Sequence, residues 1–592
     1  MGVPEGRAGR GISMADSRSA MFTYSRAPGR DAGRASFRLP PEAWQWRDGS
    51  LSMAVVGDVY DGVEAIPDLY RREGIEALTR LHGSFLLFVA DEARGQAWVV
   101  NDHIGSRAAY IWENADTTLV TNSLADGPRS DSDLDPTGVC SYLANDGVRA
   151  GLTPWASART LPAASVLGLH TSDAPAQYWR QPAMDGEGTI EDLAPQMLEL
   201  MRAAVERRRT GSENLPVVLS LSGGVDSKGL LGLLLEQLPA DRISAYTYYN
   251  GEQVGDMDLP EARRAALAAG ISHHPIPGYR NDFLHTLVDN ALRGEGVAHF
   301  CDDADVWRHL GGTLSGLVVA GDRQAHQMGH LPEDLPISSL LSLVSLFPTK
   351  VIDWFLAMLP SDGARAMVEG WEAVYGSLLA EYGSMDSWRI ACHPAYIEQR
   401  ANPTLTLWRE RFSSQAGRVI SPFLDRDLLD FVGRLPIALN DVEGNFLHRI
   451  ALERAFPNLF AGENAHGGWN IPDWGEEMRS AAKPIRSLIE GVGSPLEALV
   501  PKEVTLRLLE SVSSRESPVD VATTGWKWQL RKLVKSSELL TRLARERKLQ
   551  QRLRGTMKVG EATMLRRLLT LHLALADHSS VIERFEEVRN HD

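Results

Sequence analysis

A chain of 592 residues and 65.1 kDa exceeds what one hydrophobic core holds, so two or more domains are expected. Hydrophobic residues make up 43% and charged residues 23%, the balance of a soluble globular protein, and a net charge of −16 argues against a general nucleic-acid coat. Only three cysteines occur, Cys140, Cys301 and Cys392, with no CxxC pair; this disfavours a disulfide framework or a cysteine-based zinc site and fits a reducing cytoplasm. No apolar run approaches the roughly 18 residues of a membrane span.

Residues 1–20 are rich in Gly, Arg and Ser and lack the apolar core of a secretory signal. They read as a disordered lead-in, or as sequence upstream of the true start, with Met14 and Met21 as alternatives. From Met21 to Pro182 the pattern is short strands separated by turn residues, such as LSMAVVGDVYDG and GSFLLFVADEARGQAWVVND, with one helix predicted over Ile66–Leu81. This reads as a layered, β-rich domain over residues 21–182. The Gly/Pro/Asp-containing stretch RQPAMDGEGTIEDLAP acts as a linker. A second domain over residues 190–592 alternates helices with buried strands at Val217–Leu221, Ile243–Tyr249 and Leu317–Ala320, the pattern of a parallel α/β sheet. The tail from about residue 520 to 592 is helical, and its part Trp526–Lys558 is strongly basic. That part reads as a solvated amphipathic helix pair, or as a docking face for an acidic peptide.

The stretch VVLSLSGGVDSKGLLGLLLE places small residues between an apolar strand and an apolar helix. Backbone N–H groups at such a helix start, with the helix dipole, form an anion site. Leu221, Ser222, Gly223, Gly224, Val225, Asp226, Ser227 and Lys228 make up the junction. The two glycines admit a phosphate to the backbone, and the serines add hydroxyl donors. Asp226 would repel phosphate directly, so its role there is to hold a bridging Mg2+. A Gly-Gly turn with Asp as helix cap has the same sequence. Lys228 could supply charge to a phosphate or stand on the helix surface.

Ser222–Ser227 resembles the SGGxDS pyrophosphate loop of the ATP pyrophosphatases. With VVGDVYDG, LTRLHGSFLLFVADEARGQAWVVNDHIGSRAAYIW, LVTNSLA, VISPFLDRDLLDFVGRLP, LHRIALERAFPNLF and GGWNIPDW in order, the chain resembles the asparagine synthetase B superfamily. The resemblance implies an N-terminal amidotransferase-like (Ntn-type) α+β domain. An α/β ATP-pyrophosphatase domain with a helical C-terminal extension would follow it. An active amidotransferase domain of that family opens with a catalytic Cys after the initiator Met. Here Gly2 follows Met1, Phe22 follows Met21, and no cysteine precedes Cys140, so a degenerate domain without glutaminase activity is expected. Family members that lost this Cys include β-lactam synthetase, carbapenam synthetase and the lasso-peptide cyclases, which close a ring with the substrate's own amine. Chain length, the lost Cys and the basic C-terminal helices make the lasso-peptide cyclases the nearest resemblance.

The resemblance implies ATP and Mg2+, an acyl-adenylate intermediate, a precursor-peptide substrate, and a leader peptidase and leader-recognition protein as partners. It assigns Thr247 and Tyr248 to adenine, against simple strand packing, and Asp258 to a family acid. Gly321 and Asp322 fit the second metal element, with Asp226 and Asp322 as metal ligands. Ala325 occupies the family's second acid position, with His326, Asp302, Asp303 or Asp305 as substitutes, or a single Asp sufficing. The family's later lysine is absent from NAHGGWNIP, where His466 stands nearby. Tyr396 and Glu398 are candidate bases without a spacing argument. Two other readings stay open: an amidotransferase using free ammonia, and a non-catalytic scaffold.

Overall fold

The computed structural model describes residues 19–25, 34–114, 116–130, 133–171, 173–249, 258–313, 316–322, 334–440, 446–461, 472–514 and 557–591. Strands β1 (Met21–Ser25), β2 (Arg34–Arg38), β3 (Trp44–Asp48), β4 (Leu51–Val59), β5 (Gly83–Asp91) and β6 (Gln96–Asn101) open the first domain. β7 (Tyr110–Glu113), β8 (Thr117–Thr121), β9 (Ala158–Thr160), β10 (Ser165–Gly168) and β11 (Ala176–Gln177) complete it. They form two antiparallel sheets, ordered β2-β1-β8-β7-β9 and β11-β10-β6-β5-β4-β3.

The sequence of β5, GSFLLFVAD, explains the layering. Successive side chains on a strand point to opposite faces. Leu86, Phe88 and Ala90 meet Phe22, Ile111 and Val120 of the facing sheet. Phe85, Leu87 and Val89 turn the other way, onto Ile66, Tyr70 and Leu78. Both faces are covered, so the strand reads as an unbroken apolar run. The helix predicted over Ile66–Leu81 is two helices, Ile66–Glu73 and Ile75–Leu78. Gly74 breaks it, its φ of 76° being a value that helices do not contain.

The second domain opens with helix Ile190–Arg209, which Thr189 caps by accepting from the Asp192 N–H. Its strands are β12 (Val217–Ser220), β13 (Ile243–Tyr249), β14 (Ser272–Pro277), β15 (Gly316–Val319) and β16 (Gly417–Ile420). They form one parallel sheet, ordered β14-β13-β12-β15-β16. Val217 and Leu219 pack under helices Ile190–Arg209 and Val225–Gln237, while Val218 packs on the opposite face with Trp307 and Phe412. Strand order reverses between β12 and β15. In an open parallel sheet, the crevice beyond the strand ends at that reversal is where ligands bind.

The C-terminal extension is helical over Glu561–Leu575 and His578–His591. Most of Trp526–Lys558 lies outside the described residues. Helix Glu561–Leu575, by contrast, is no surface appendage. Met564, Leu565, Leu568, Leu569 and Leu571 are fully buried in the largest apolar cluster, which also takes in Tyr110 and Trp112 of the first domain. Arg567 Nη1 donates to the carbonyls of Leu143 (2.6 Å) and Ala144 (3.0 Å), satisfying the end of helix Pro136–Asn145.

The two domains also meet along the SPFLD segment. His103 Nε2 lies 2.9 Å from the Leu424 carbonyl, and Arg426 Nη1 donates to the Thr79 carbonyl at 3.0 Å. Asn402 Nδ2, from the π-helical stretch Ile397–Thr406, donates to the carbonyls of Ile104 (2.5 Å) and Gly105 (3.1 Å).

Candidate active site

The loop Leu221–Gly224 leaves β12 at the switch point and enters helix Val225–Gln237. Leu221 N–H donates to the Tyr246 carbonyl at 2.9 Å, which pins the loop's start to β13. Gly223 then takes φ +72°. A Cβ there would stand 2.6 Å from Glu261 Cβ and 3.0 Å from Ala262 N, because helix Asp258–Ala269 runs directly beneath. Only glycine fits. Ser222 N–H donates to Ser227 Oγ, the two hydroxyls lie 3.2 Å apart, and Ser227 Oγ donates to the Gly224 carbonyl. The loop is held in shape from within.

Gly224 is the N-cap, and it brings no side-chain cap. Asp226 lies inside the first turn, so the alternative of Asp226 as helix cap is excluded by position. A 13-residue helix therefore presents its N-terminus at the switch point with no side chain of its cap over it. That arrangement, free of a Cβ at Gly223 and Gly224, fits a phosphate group. Favourable N-terminal geometry of this kind stabilises an anion by up to about 2 kcal/mol.

Asp226 is 27% exposed, and its Oδ1 lies 3.0 Å from Nε2 of the buried His448 on helix Phe446–Ala455. Gly321 lies across from it: a Cβ at 321 would come 3.4 Å from Asp226 Cβ. Asp322 is brought to the same crevice with both oxygens engaged. Arg409 Nε meets Oδ2 at 2.7 Å and Nη2 meets Oδ1 at 2.9 Å, and Ser421 Oγ donates to Oδ2 at 3.0 Å. Arg409 lies between Trp408 (4.2 Å to its ring centre) and Trp307 (5.4 Å). Burial acts to lower the guanidinium's pKa, and the Asp322 carboxylate outweighs it, holding the pKa above the usual value. Among the described residues, no group of three or more His, Cys, Asp or Glu side chains is gathered as a metal site. At the loop itself, the carboxylate that reaches the crevice is that of Asp226, whose partly exposed side chain suits a hard divalent cation such as Mg2+.

Lys228 is fully buried, so it is no surface lysine. Its Nζ lies 4.8 Å over the Phe460 ring, and burial lowers its pKa to about 8. Thr247 is buried; its Oγ1 lies 2.5 Å from the Leu221 carbonyl, to which it donates, and 2.8 Å from His273 Nε2. Tyr246 is buried edge-on against Trp307, whereas Tyr248 is exposed at the same strand end. Asp258 begins the helix beneath Gly223.

The remaining candidates scatter. Asp302 accepts from Trp474 Nε1 at 2.7 Å, and Asp305 pairs with Arg308 at 2.6 Å. Burial raises the pKa of Asp303 to about 6, although the Cys301 thiol donates to its carboxylate at 3.2 Å. Tyr396 is buried in the helical core. Glu398 is taken by Arg180 (2.6 Å) and the Tyr382 hydroxyl (2.7 Å). Ala325, His326 and His466 lie outside the described residues. Sequence reasoning missed Arg409 and His448. Arg409 carried no local signal, while His448 heads an i, i+4, i+8 series with Leu452 and Phe456 that a helix-face reading could have found.

Two family models match the chain: a glutamine amidotransferase domain over residues 61–179 and an asparagine synthase over residues 196–310. Together they support the asparagine synthetase-like superfamily. The asparagine synthetase-like second domain supports ATP-dependent formation of a C–N bond. No curated protein is significantly similar to the chain. Among solved structures, one match is a glutamine phosphoribosylpyrophosphate (PRPP) amidotransferase from B. subtilis complexed with ADP and GMP. It is 11% identical, covers 51% of this chain and 69% of that one, and has a TM-score of 0.16, too low to carry a structural conclusion. No helix among the described residues is long and apolar enough to cross a membrane.

Proposed function

We propose that the chain is an AMP-forming ligase that closes a macrolactam ring within a precursor peptide, most like a lasso-peptide cyclase. The observation that carries the adenylation step is the N-terminus of helix Val225–Gln237, which lacks a side-chain cap and faces the switch point with Asp226 in its first turn. A substrate carboxylate oxygen attacks the α-phosphorus of ATP, and pyrophosphate leaves. The substrate's own amine then attacks the acyl carbon, AMP departs, and the amide forms. The chain's work is to place these groups and to meet the charge on the phosphates.

In this reading the N–H groups after Gly223 and Gly224 receive the departing pyrophosphate, with the Ser222 and Ser227 hydroxyls beside them. Asp226 holds Mg2+, which neutralises phosphate charge when bound. Asp322, held by Arg409, braces the opposite wall of the crevice, and its part in the metal shell requires Arg409 to yield one oxygen. Thr247 fixes the Leu221 carbonyl, setting the edge along which the Tyr248 end of β13 meets adenine. Lys228 lies behind the loop, where its charge acts through the helix rather than by contact.

The first domain is proposed to lack glutaminase activity. All three cysteines are buried, and burial raises each thiol pKa, to about 12 at Cys140 and Cys392. None offers a thiolate nucleophile. The asparagine synthase match supports a second reading, an amidotransferase-type synthetase fed by free ammonia; asparagine formation from aspartate, ATP and ammonium would select it.

Calorimetry with ATP and Mg2+, followed by pyrophosphate release with candidate peptides, tests the reading. Saturable ATP binding, lost in Asp226→Ala, is expected. No ATP binding by the wild type would overturn both enzymatic readings. A leader peptidase and a leader-recognition protein are expected partners.

A further inference from the structure

We propose that His448 is a positioning residue that fixes the metal-binding carboxylate of Asp226; the proposal rests on the reading of Asp226 as the Mg2+ ligand. The evidence lies in how two helices meet. Helix Val225–Gln237 carries Gly229 and Gly232, although glycine is a poor helix former. A Cβ at 229 would stand 2.3 Å from Leu452 Cδ1, and one at 232 would stand 2.4 Å from Phe456 Cδ2. The two glycines are there because another helix lies against them.

The register of that contact is specific. Asp226, Gly229 and Gly232 follow one another at i, i+3 and i+6 along one helix face. His448, Leu452 and Phe456 follow at i, i+4 and i+8 along the opposing chain, with Phe456 just past the end of helix Phe446–Ala455. Leu452 and Phe456 seat on the glycines, so His448 is carried to Asp226. Its Nε2 reaches 3.0 Å from Oδ1, and both atoms are shielded from solvent. The ring is packed edge-on against Phe423, 4.7 Å between centres at 83°, which restricts its rotation. One carboxylate oxygen is thereby turned inward while the side chain keeps 27% of its surface toward the crevice. A metal held by Asp226 would meet the part of the side chain that stays exposed, while His448 restrains the oxygen behind it. Octahedral Mg2+ demands near-ideal ligand placement, so such fixing bears directly on affinity.

The test uses Mn2+ as a paramagnetic probe, read by EPR in the presence of ATP on the full chain. Asp226→Asn should abolish the bound-Mn2+ signal. His448→Leu, which keeps the packing and loses the nitrogen, should weaken Mn2+ retention about tenfold. His448→Gln, whose amide reaches the Nε2 position, should restore most of it, and the shorter His448→Asn should not. Circular dichroism confirms folding, and the Gln/Asn comparison stands even where the Leu variant fails to fold. If Asp226→Asn abolishes the signal while Gln and Asn at 448 both match wild type, the positioning role is overturned. If Asp226→Asn retains the signal, the reading of Asp226 itself fails.

Discussion

Gly223→Ala gives the sharpest test of the loop, with Gly270→Ala as its control. Both glycines have positive φ, +72° and +68°, so alanine suffers the same backbone strain at each, about 1 kcal/mol, partly offset by a stiffer unfolded chain. Their surroundings differ. Nothing lies within 4 Å of a Cβ at 270, whereas a Cβ at 223 meets Glu261 Cβ at 2.6 Å, Ala262 N at 3.0 Å and the Asp258 carbonyl at 3.1 Å. Ordinary contact begins near 3.4 Å, so the loop or the helix beneath must move by about 0.8 Å. Overpacking of that kind costs about 1–3 kcal/mol. The expected totals are about 1 kcal/mol for Gly270→Ala and about 2–4 kcal/mol for Gly223→Ala. Thermal unfolding reads the stability difference, and calorimetry reads ATP affinity, which should fall more than tenfold only in Gly223→Ala. Equal thermal shifts in the two variants, with unchanged ATP affinity, would refute the account of the loop.

Three other outcomes follow from the structure. Arg409→Met should destabilise the protein by about 3 kcal/mol in denaturant unfolding, because it leaves the Asp322 carboxylate buried without its cation, and the paired change with Asp322→Asn should recover part of that. His82 bridges the domains, lying 3.4 Å from both Asp61 and Asp427, and those carboxylates raise its pKa to about 9. A raised imidazole pKa stabilises the fold fully below about pH 6.5 and ceases to do so as pH passes about 9. The stability difference between wild type and His82→Gln, about 1 kcal/mol after solvent screening, should shrink across that window. Ellman's reagent at pH 8 should find no reactive thiol in the native protein and three after denaturation, because Cys140, Cys301 and Cys392 are all buried. A rapidly reacting native cysteine would contradict the buried placement of all three.

Much of this was legible in the sequence, for local reasons. Runs such as FLLFVA and VVLS, bounded by turn residues, read as strands, and SGGVDS between a strand and an apolar helix read as a turn open to a phosphate. Asp226 as cap or as first-turn residue was a question of one or two positions, which sequence does not resolve. Lys228 stayed open between a phosphate-facing charge and a helix-surface lysine, because a lysine in a helix is ordinarily outside. It is inside because this helix is sandwiched between the sheet and helix Phe446–Ala455, a fact of tertiary packing. Arg409 and His448 were hidden for the same reason: each acts on a residue 87 or more positions away, and no local pattern announces such a partner. The helical character of Glu561–Leu575 was legible, but its burial was not, because Arg566, Arg567 and His572 stand among its leucines and are satisfied only by partners distant in the chain.

That helix bears on the order in which the molecule is made. Arg566 reaches Asp146 at 2.5 Å, and Arg567 closes the end of helix Pro136–Asn145, some 420 residues earlier in the chain. During synthesis, the first domain emerges with one flank still bare and waits for residues 561–575 to cover it. The two halves are thus sewn together by a segment made some 420 residues after the helix it covers. A stop codon before residue 561 would leave more than a shortened second domain: it would leave the first one open.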